Sequence, residues 1–143
     1  MLTLVCGLRG SGKTTYVYNH LTRDALAYDM DAIASAFRLR QIHEEYHPAA
    51  RRMANSFLAG FLSHVFSFAS DAWIIRTAPS ITELEQIAPD RVVIMRGSYV
   101  TREMDDREAA AERINDVVEW CAAHGVTCKE VGPSPQGCEN KFT

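Results

Sequence analysis

The sequence predicts an α/β fold with a five-stranded parallel sheet covered by helices on both faces. Two observations carry this. Short apolar runs alternate along the chain with segments of helical periodicity, and that alternation is the signature of parallel strands joined by crossover helices. The stretch Gly7-Leu8-Arg9-Gly10-Ser11-Gly12-Lys13-Thr14-Thr15 also follows one such run directly. It fits the phosphate-binding pattern of Gly, four residues, then Gly-Lys-Thr.

The run Leu2-Thr3-Leu4-Val5-Cys6 reads as a buried first strand, and Thr14 to Leu21 as the helix after the loop. Between them, glycines let the backbone turn tightly and approach a phosphate closely. Successive N–H groups then converge on one anion, helped by the helix N-terminus. Lys13 is placed to hold the β and γ phosphates, and the Thr14 hydroxyl is a hard oxygen ligand for Mg²⁺. Arg9 adds a second cation or faces solvent.

Thr22-Arg23-Asp24 connects to a short second strand, Ala25-Leu26-Ala27-Tyr28, which ends at Asp29-Met30-Asp31. Ala32 to Leu39 is helical with Asp31 as N-cap. Gln41 to Tyr46 is polar and reads as loop or exposed helix. Pro48 suits the first turn of a long helix reaching Phe68. Met53, Phe57, Phe61, Val65 and Phe68 recur along it at helical spacing and are expected in the core. Arg51 and Arg52, at its start, read first as exposed surface arginines.

Ala72 to Ile75 is the third strand, ending at Arg76-Thr77. Ser80-Ile81-Thr82-Glu83 is a capping box for a short helix to Ala88. Arg91 to Met95 is the fourth strand, with Arg96-Gly97-Ser98 as its exit loop. Thr101 or Ser98 caps a final long helix whose apolar face is Ala110, Ile114, Val117, Val118 and Cys121. Gly125 closes that helix. Val126 to Val131 is the fifth strand. The expectation is one domain over residues 1–131 and a flexible tail over 132–143.

Composition narrows the class. A chain of 143 residues with 47% apolar content has room for one real core and is not disordered. No apolar run approaches the ~20 residues of a membrane span, and the first strand begins at once, so a cytoplasmic protein without a leader is expected. A net charge of −3 argues against broad electrostatic binding of nucleic acid. Cys121, His124, Cys128 and Cys138 have poor zinc spacing, and free thiols are expected over zinc or disulfides.

In a parallel sheet, ligands bind outside the carboxyl ends of the strands. Phosphoryl transfer needs a nucleotide cradle, a metal, a group to deprotonate the acceptor, and cations for transition-state charge. Asp29 and Asp31 are the candidate acids, with the choice between them open. Arg76 either contacts an anionic acceptor or the γ-phosphate, or pairs with one of those aspartates. Arg102 and Arg107, at the start of the final helix, are candidates for a lid over the phosphates or form ordinary surface pairs.

On Gly7 to Thr15, Asp29-Met30-Asp31 and Arg102 to Arg107, the chain resembles the small P-loop kinases. That group includes phage polynucleotide kinase domains, zeta-toxin-like kinases and related phage or bacterial ATP-binding proteins of AAA type. The resemblance covers residues 1–131. It implies the three-layer P-loop NTPase fold, ATP and Mg²⁺ as cofactors, an acceptor-activating Asp after the second strand, and lid arginines on the nucleotide. It also implies transfer of the γ-phosphate to a hydroxyl or phosphate acceptor, namely a nucleoside, nucleotide or polynucleotide 5′ end. Neither the third nor the fourth strand ends in the carboxylate that many P-loop enzymes use to hold Mg²⁺ through water. The alternative function is therefore an ATP-binding module or switch without transfer activity. The acceptor and the oligomeric state are not legible.

Overall fold

The computed structural model describes the backbone of residues 1–97, 104–134 and 137–142, with side chains over 1–97 and 108–132. Six strands form one sheet: β1 (Leu2–Gly7), β2 (Ala25–Asp29), β3 (Asp71–Arg76), β4 (Arg91–Met95), β5 (Thr127–Ser134) and β6 (Gly137–Phe142). Their order is β2-β3-β1-β4-β5-β6. The first five are parallel, as the alternation of elements requires, and β6 adds antiparallel at the edge.

All six residues of β1 are buried, and this explains its central place. Apolar side chains at both parities demand cover on both faces. Leu2, Leu4 and Cys6 join the larger core, with Ile74, Val92, Ile94 and the helical residues Leu58, Leu84, Ile114, Val117 and Trp120. Val5 points the other way, into a smaller core with Val17, Trp73, Ile75, Val93 and Met95. Helix α1 (Lys13–His20) supplies Val17 to that second face, while α4 (Leu58–His64), α5 (Ile81–Ile87) and α6 (Met104–His124) cover the first.

The elements differ from expectation in two places. The long helix from Pro48 to Phe68 is broken into α3 (Pro48–Ser56), α4 and a 3₁₀ turn at Val65–Ser67. The break sits at Phe57, where the Ala54 carbonyl is taken by the Phe57 N–H at 3.1 Å and by the Tyr28 hydroxyl at 2.5 Å. With the carbonyl diverted, the buried face becomes Ala50, Ala54, Leu58 and Val65. Met53 is left 53% exposed and Phe68 80%, so the aromatic stripe is only partly core. The second difference concerns residues 132–134 and 137–142, within the span expected as a loose tail. The backbone of 132–134 extends β5 to Ser134, and 137–142 pairs with that strand as β6, with Lys129 opposite Phe142 and Val131 opposite Asn140.

The chain leaves β1 toward β2 on one side and leaves β4 toward β5 on the other. Strand order therefore reverses beside the carboxyl end of β1, which is where open α/β sheets form their ligand crevice. Gly7, Asp29, Arg76 and Met95 end the four strands around that point.

Candidate active site

The phosphate loop is shaped by three glycines and by what lies behind them. Gly10 (φ 80°) and Gly12 (φ 89°) occupy left-handed backbone that a side chain would strain. Gly12 is the N-cap of α1 and offers no capping side chain, so the first N–H groups of that helix stay open to a ligand. Gly7 is required by proximity: a Cβ there would lie 2.7 Å from the Met95 carbonyl oxygen and 2.7 Å from Ser11 Oγ. Gly97 backs the loop from the β4 exit, where a Cβ would meet the Ser11 carbonyl oxygen at 2.9 Å. Gly7→Ala is expected to cost about 1–3 kcal/mol of stability through overpacking. Chemical denaturation checks this, and an unchanged midpoint would contradict it.

Several features fit a bound phosphate. Ser11 Oγ is buried and makes no hydrogen bond among the described residues. The Lys13 ammonium rests on the Leu8 carbonyl at 3.0 Å. Burial pushes the Lys13 pKa below its ordinary 10.5, with Asp31, Cys6 and Asp29 opposing the shift. Phosphate oxygens beside Lys13 would favour its charged form again. ATP affinity is therefore expected to fall as pH rises through the alkaline range below 10.5, with proton uptake on binding in that window. Calorimetry in buffers of different ionisation enthalpy measures this, and binding with no proton exchange there would contradict it.

The second strand brings its acids to the same place. Asp29 ends β2 and caps α2 (Met30–Phe37), its Oδ1 accepting from the Asp31 N–H at 3.0 Å and the Ala32 N–H at 3.4 Å. Asp29, rather than Asp31, is therefore the N-cap. Its other oxygen accepts the Thr14 hydroxyl at 3.2 Å, joining β2 to the phosphate loop. Two hard oxygens thus face each other across the site, which suits Mg²⁺ completed by phosphate and water oxygens. No group of three or more His, Cys, Asp or Glu that could hold a metal exists among the described residues.

Asp31 stands free of the cap and pairs with Arg51 from α3. Arg51 lies over the Tyr46 ring, with 5.0 Å from its guanidinium carbon to the ring centroid. Arg51 is thus a cleft residue, which its surface-like sequence context did not reveal. Arg76 is bonded to Glu83 and, at 3.0 Å, to Asn55 Oδ1, so its pairing with Asp29 or Asp31 does not occur. This also diverts Glu83 from the reciprocal half of the capping box, although Ser80 Oγ still accepts the Glu83 N–H at 3.2 Å. Arg102 lies outside the described residues. Arg107 falls within α6, but its side chain lies outside them too.

A cleft of ≈ 670 Å³ joins these parts, running from Gly12, Lys13 and Thr14 past Asp29 and Asp31 to Tyr46. Away from it, Cys6, Cys121 and Cys128 are buried, and the Cys138 side chain lies outside the described residues. Burial pushes the Cys6 pKa up to about 12, so it stays protonated and inert. No helix among the described residues is long and apolar enough to cross a membrane.

The sheet, five parallel strands flanked by helices, with a glycine-rich turn after β1, is an α/β fold consistent with the P-loop kinase-like type. The chain is similar to a solved chain of the Pnkp1/Rnl/Hen1 RNA repair complex, with TM-score 0.51 and 11% identity over 84% of this chain. It spans 37% of that chain's length. A sugar kinase from Janibacter matches at TM-score 0.39 and 17% identity, over 80% of this chain and 65% of that one. No family model and no curated protein matches the sequence.

Proposed function

We propose that the protein is an ATP-dependent phosphotransferase that moves the γ-phosphate to a hydroxyl or phosphate acceptor held in the cleft. The observation that carries this reading is the Thr14–Asp29 hydrogen bond of 3.2 Å. It sets a carboxylate beside the phosphate loop, where β3 and β4 end in Arg76 and Met95 and offer none. The likeness to a chain of an RNA repair complex supports the fold in which such chemistry occurs, and leaves the substrate to be argued from the cleft.

The two aspartates divide the work by position. Asp29 spends one oxygen on the α2 cap and turns the other to Thr14, on the phosphate side. Asp31 faces the acceptor side, oriented by Arg51, and retains lone pairs for a proton. The acceptor oxygen bonds to the γ-phosphorus as the bond from that phosphorus to the β–γ bridging oxygen breaks. The acceptor proton passes to the Asp31 carboxylate, and ADP leaves. Lys13 and the open N–H groups of α1 hold the phosphates through the transfer. Magnesium, when bound with ATP, supplies charge neutralisation of the β and γ phosphates.

The test is a screen with γ-labelled ATP over nucleosides, nucleotides, hydroxyl-ended oligonucleotides and small metabolites. Label is expected on at least one acceptor, in step with ADP release. Label appearing only as inorganic phosphate, whatever acceptor is present, would overturn the reading.

A further inference from the structure

We infer that the acceptor is a neutral polyhydroxylated molecule, a nucleoside or a sugar, rather than a phosphorylated compound or a nucleic-acid end. The inference rests on the phosphotransfer reading above and narrows its substrate.

The charges of the cleft favour it. Beyond the phosphate loop, its described charged lining consists of four carboxylates, Asp29, Asp31, Glu44 and Glu45, against two guanidiniums, Arg38 and Arg51. Both guanidiniums are already engaged. Arg51 is held by Asp31, and Arg38 Nε donates to Glu45 at 2.7 Å, with Arg40 reaching the same carboxylate at 4.0 Å. His43 and His47 also line this end. His47 Nδ1 is occupied as an acceptor from the Ala50 N–H at 3.1 Å. A phosphate entering here would meet a net negative wall and would have to break an existing pair to gain a cation.

A second observation shows what the wall offers instead. Ser35 lines the cleft, is only 9% exposed, and its hydroxyl makes no hydrogen bond among the described residues. Serines inside helices commonly return the hydroxyl to the carbonyl four residues back. Ser63 does so, to Ala59 at 2.9 Å, whereas Ser35 leaves the Asp31 carbonyl alone. Ser35 Oγ is not a sealed atom but lines the cleft, where an acceptor hydroxyl can bond it. Ser35 lies one turn from Asp31 on α2, so the two share a face about 6 Å apart along the axis. Close packing of Ala34, Ala50 and Ala54 fixes that face against α3. A polyol can present its reacting hydroxyl to Asp31 and a second hydroxyl to Ser35.

The test compares acceptors that differ only in phosphate: a nucleoside, its 3′- and 5′-monophosphates, free pentoses and hexoses, and a hydroxyl-ended oligonucleotide, each with γ-labelled ATP. The neutral acceptors are expected to show kcat/KM at least about tenfold above their phosphorylated counterparts. Ser35→Ala is expected to raise the acceptor KM about 3- to 10-fold with the ATP KM unchanged. Glu45→Gln frees Arg38 and is expected to improve the monophosphates selectively. Preference for a monophosphate or the oligonucleotide would overturn this inference and leave the phosphotransfer reading standing. Absence of transfer to every acceptor would overturn that reading instead. Calorimetry with protein saturated by a non-hydrolysable ATP analogue then decides the cleft chemistry. Binding of the nucleoside that Ser35→Ala weakens supports the inference, and binding of the monophosphate alone, or of neither, overturns it.

Discussion

Asp31→Ala is expected to lower the rate of phosphoryl transfer by about 10²–10⁴-fold while leaving ATP affinity nearly unchanged. Asp31 caps no helix and its side chain is hydrogen-bonded to Arg51, so its removal leaves the α2 cap and the backbone of the loop in place, with only its charge lost beside Lys13. What is lost is the group that takes the acceptor proton and the anchor for Arg51. Asp31→Asn separates the two losses, because it keeps the size of the side chain while removing its basicity. Comparable losses in both variants identify proton transfer as the missing step. Transfer at the wild-type rate in Asp31→Asn would return the role to Asp29. Asp29 itself is a poorer first target, because alanine there also removes the α2 cap, at about 0.5–2 kcal/mol.

Lys13→Ala is expected to weaken ATP binding by about 10²-fold and to abolish transfer. The ammonium rests on Leu8 within the loop and is partly desolvated there, at a cost that only an anionic ligand offsets fully. Without it, the β and γ phosphates keep the backbone N–H groups of α1 but lose their nearest cation. Titration with a fluorescent ATP analogue measures the change, and unaltered affinity would show that the nucleotide sits elsewhere.

The glycine-rich turn after β1 and the parallel sheet were legible because each rests on local pattern. The glycine spacing, the apolar run before it and the alternation of strands with helices are all set within a few residues. The break at Phe57 was not legible, because its cause is the Tyr28 hydroxyl, 26 positions away in sequence, drawing on the Ala54 carbonyl. The return of the chain as β6 was hidden by the prolines and low apolar content of 132–143, since an edge strand is held by backbone pairing. Among the site residues, Asp29 and Asp31 could be named but their division of labour could not. It depends on which carboxylate caps α2, and a shift of one residue reverses that. Arg51, Ser35 and Glu45 carry no motif. They enter the site only because α2 and α3 pack through three alanines and present one wall.

A crystal structure with a non-hydrolysable ATP analogue and Mg²⁺ tests the central claim most directly. The terminal phosphate should lie between the Lys13 ammonium and the open side of the cleft, with the Asp31 carboxylate facing it across the space left for an acceptor. A nucleotide bound there with the Asp29 and Asp31 carboxylates both turned away from the terminal phosphate would contradict the assignment and leave a protein that captures ATP without passing its phosphate on.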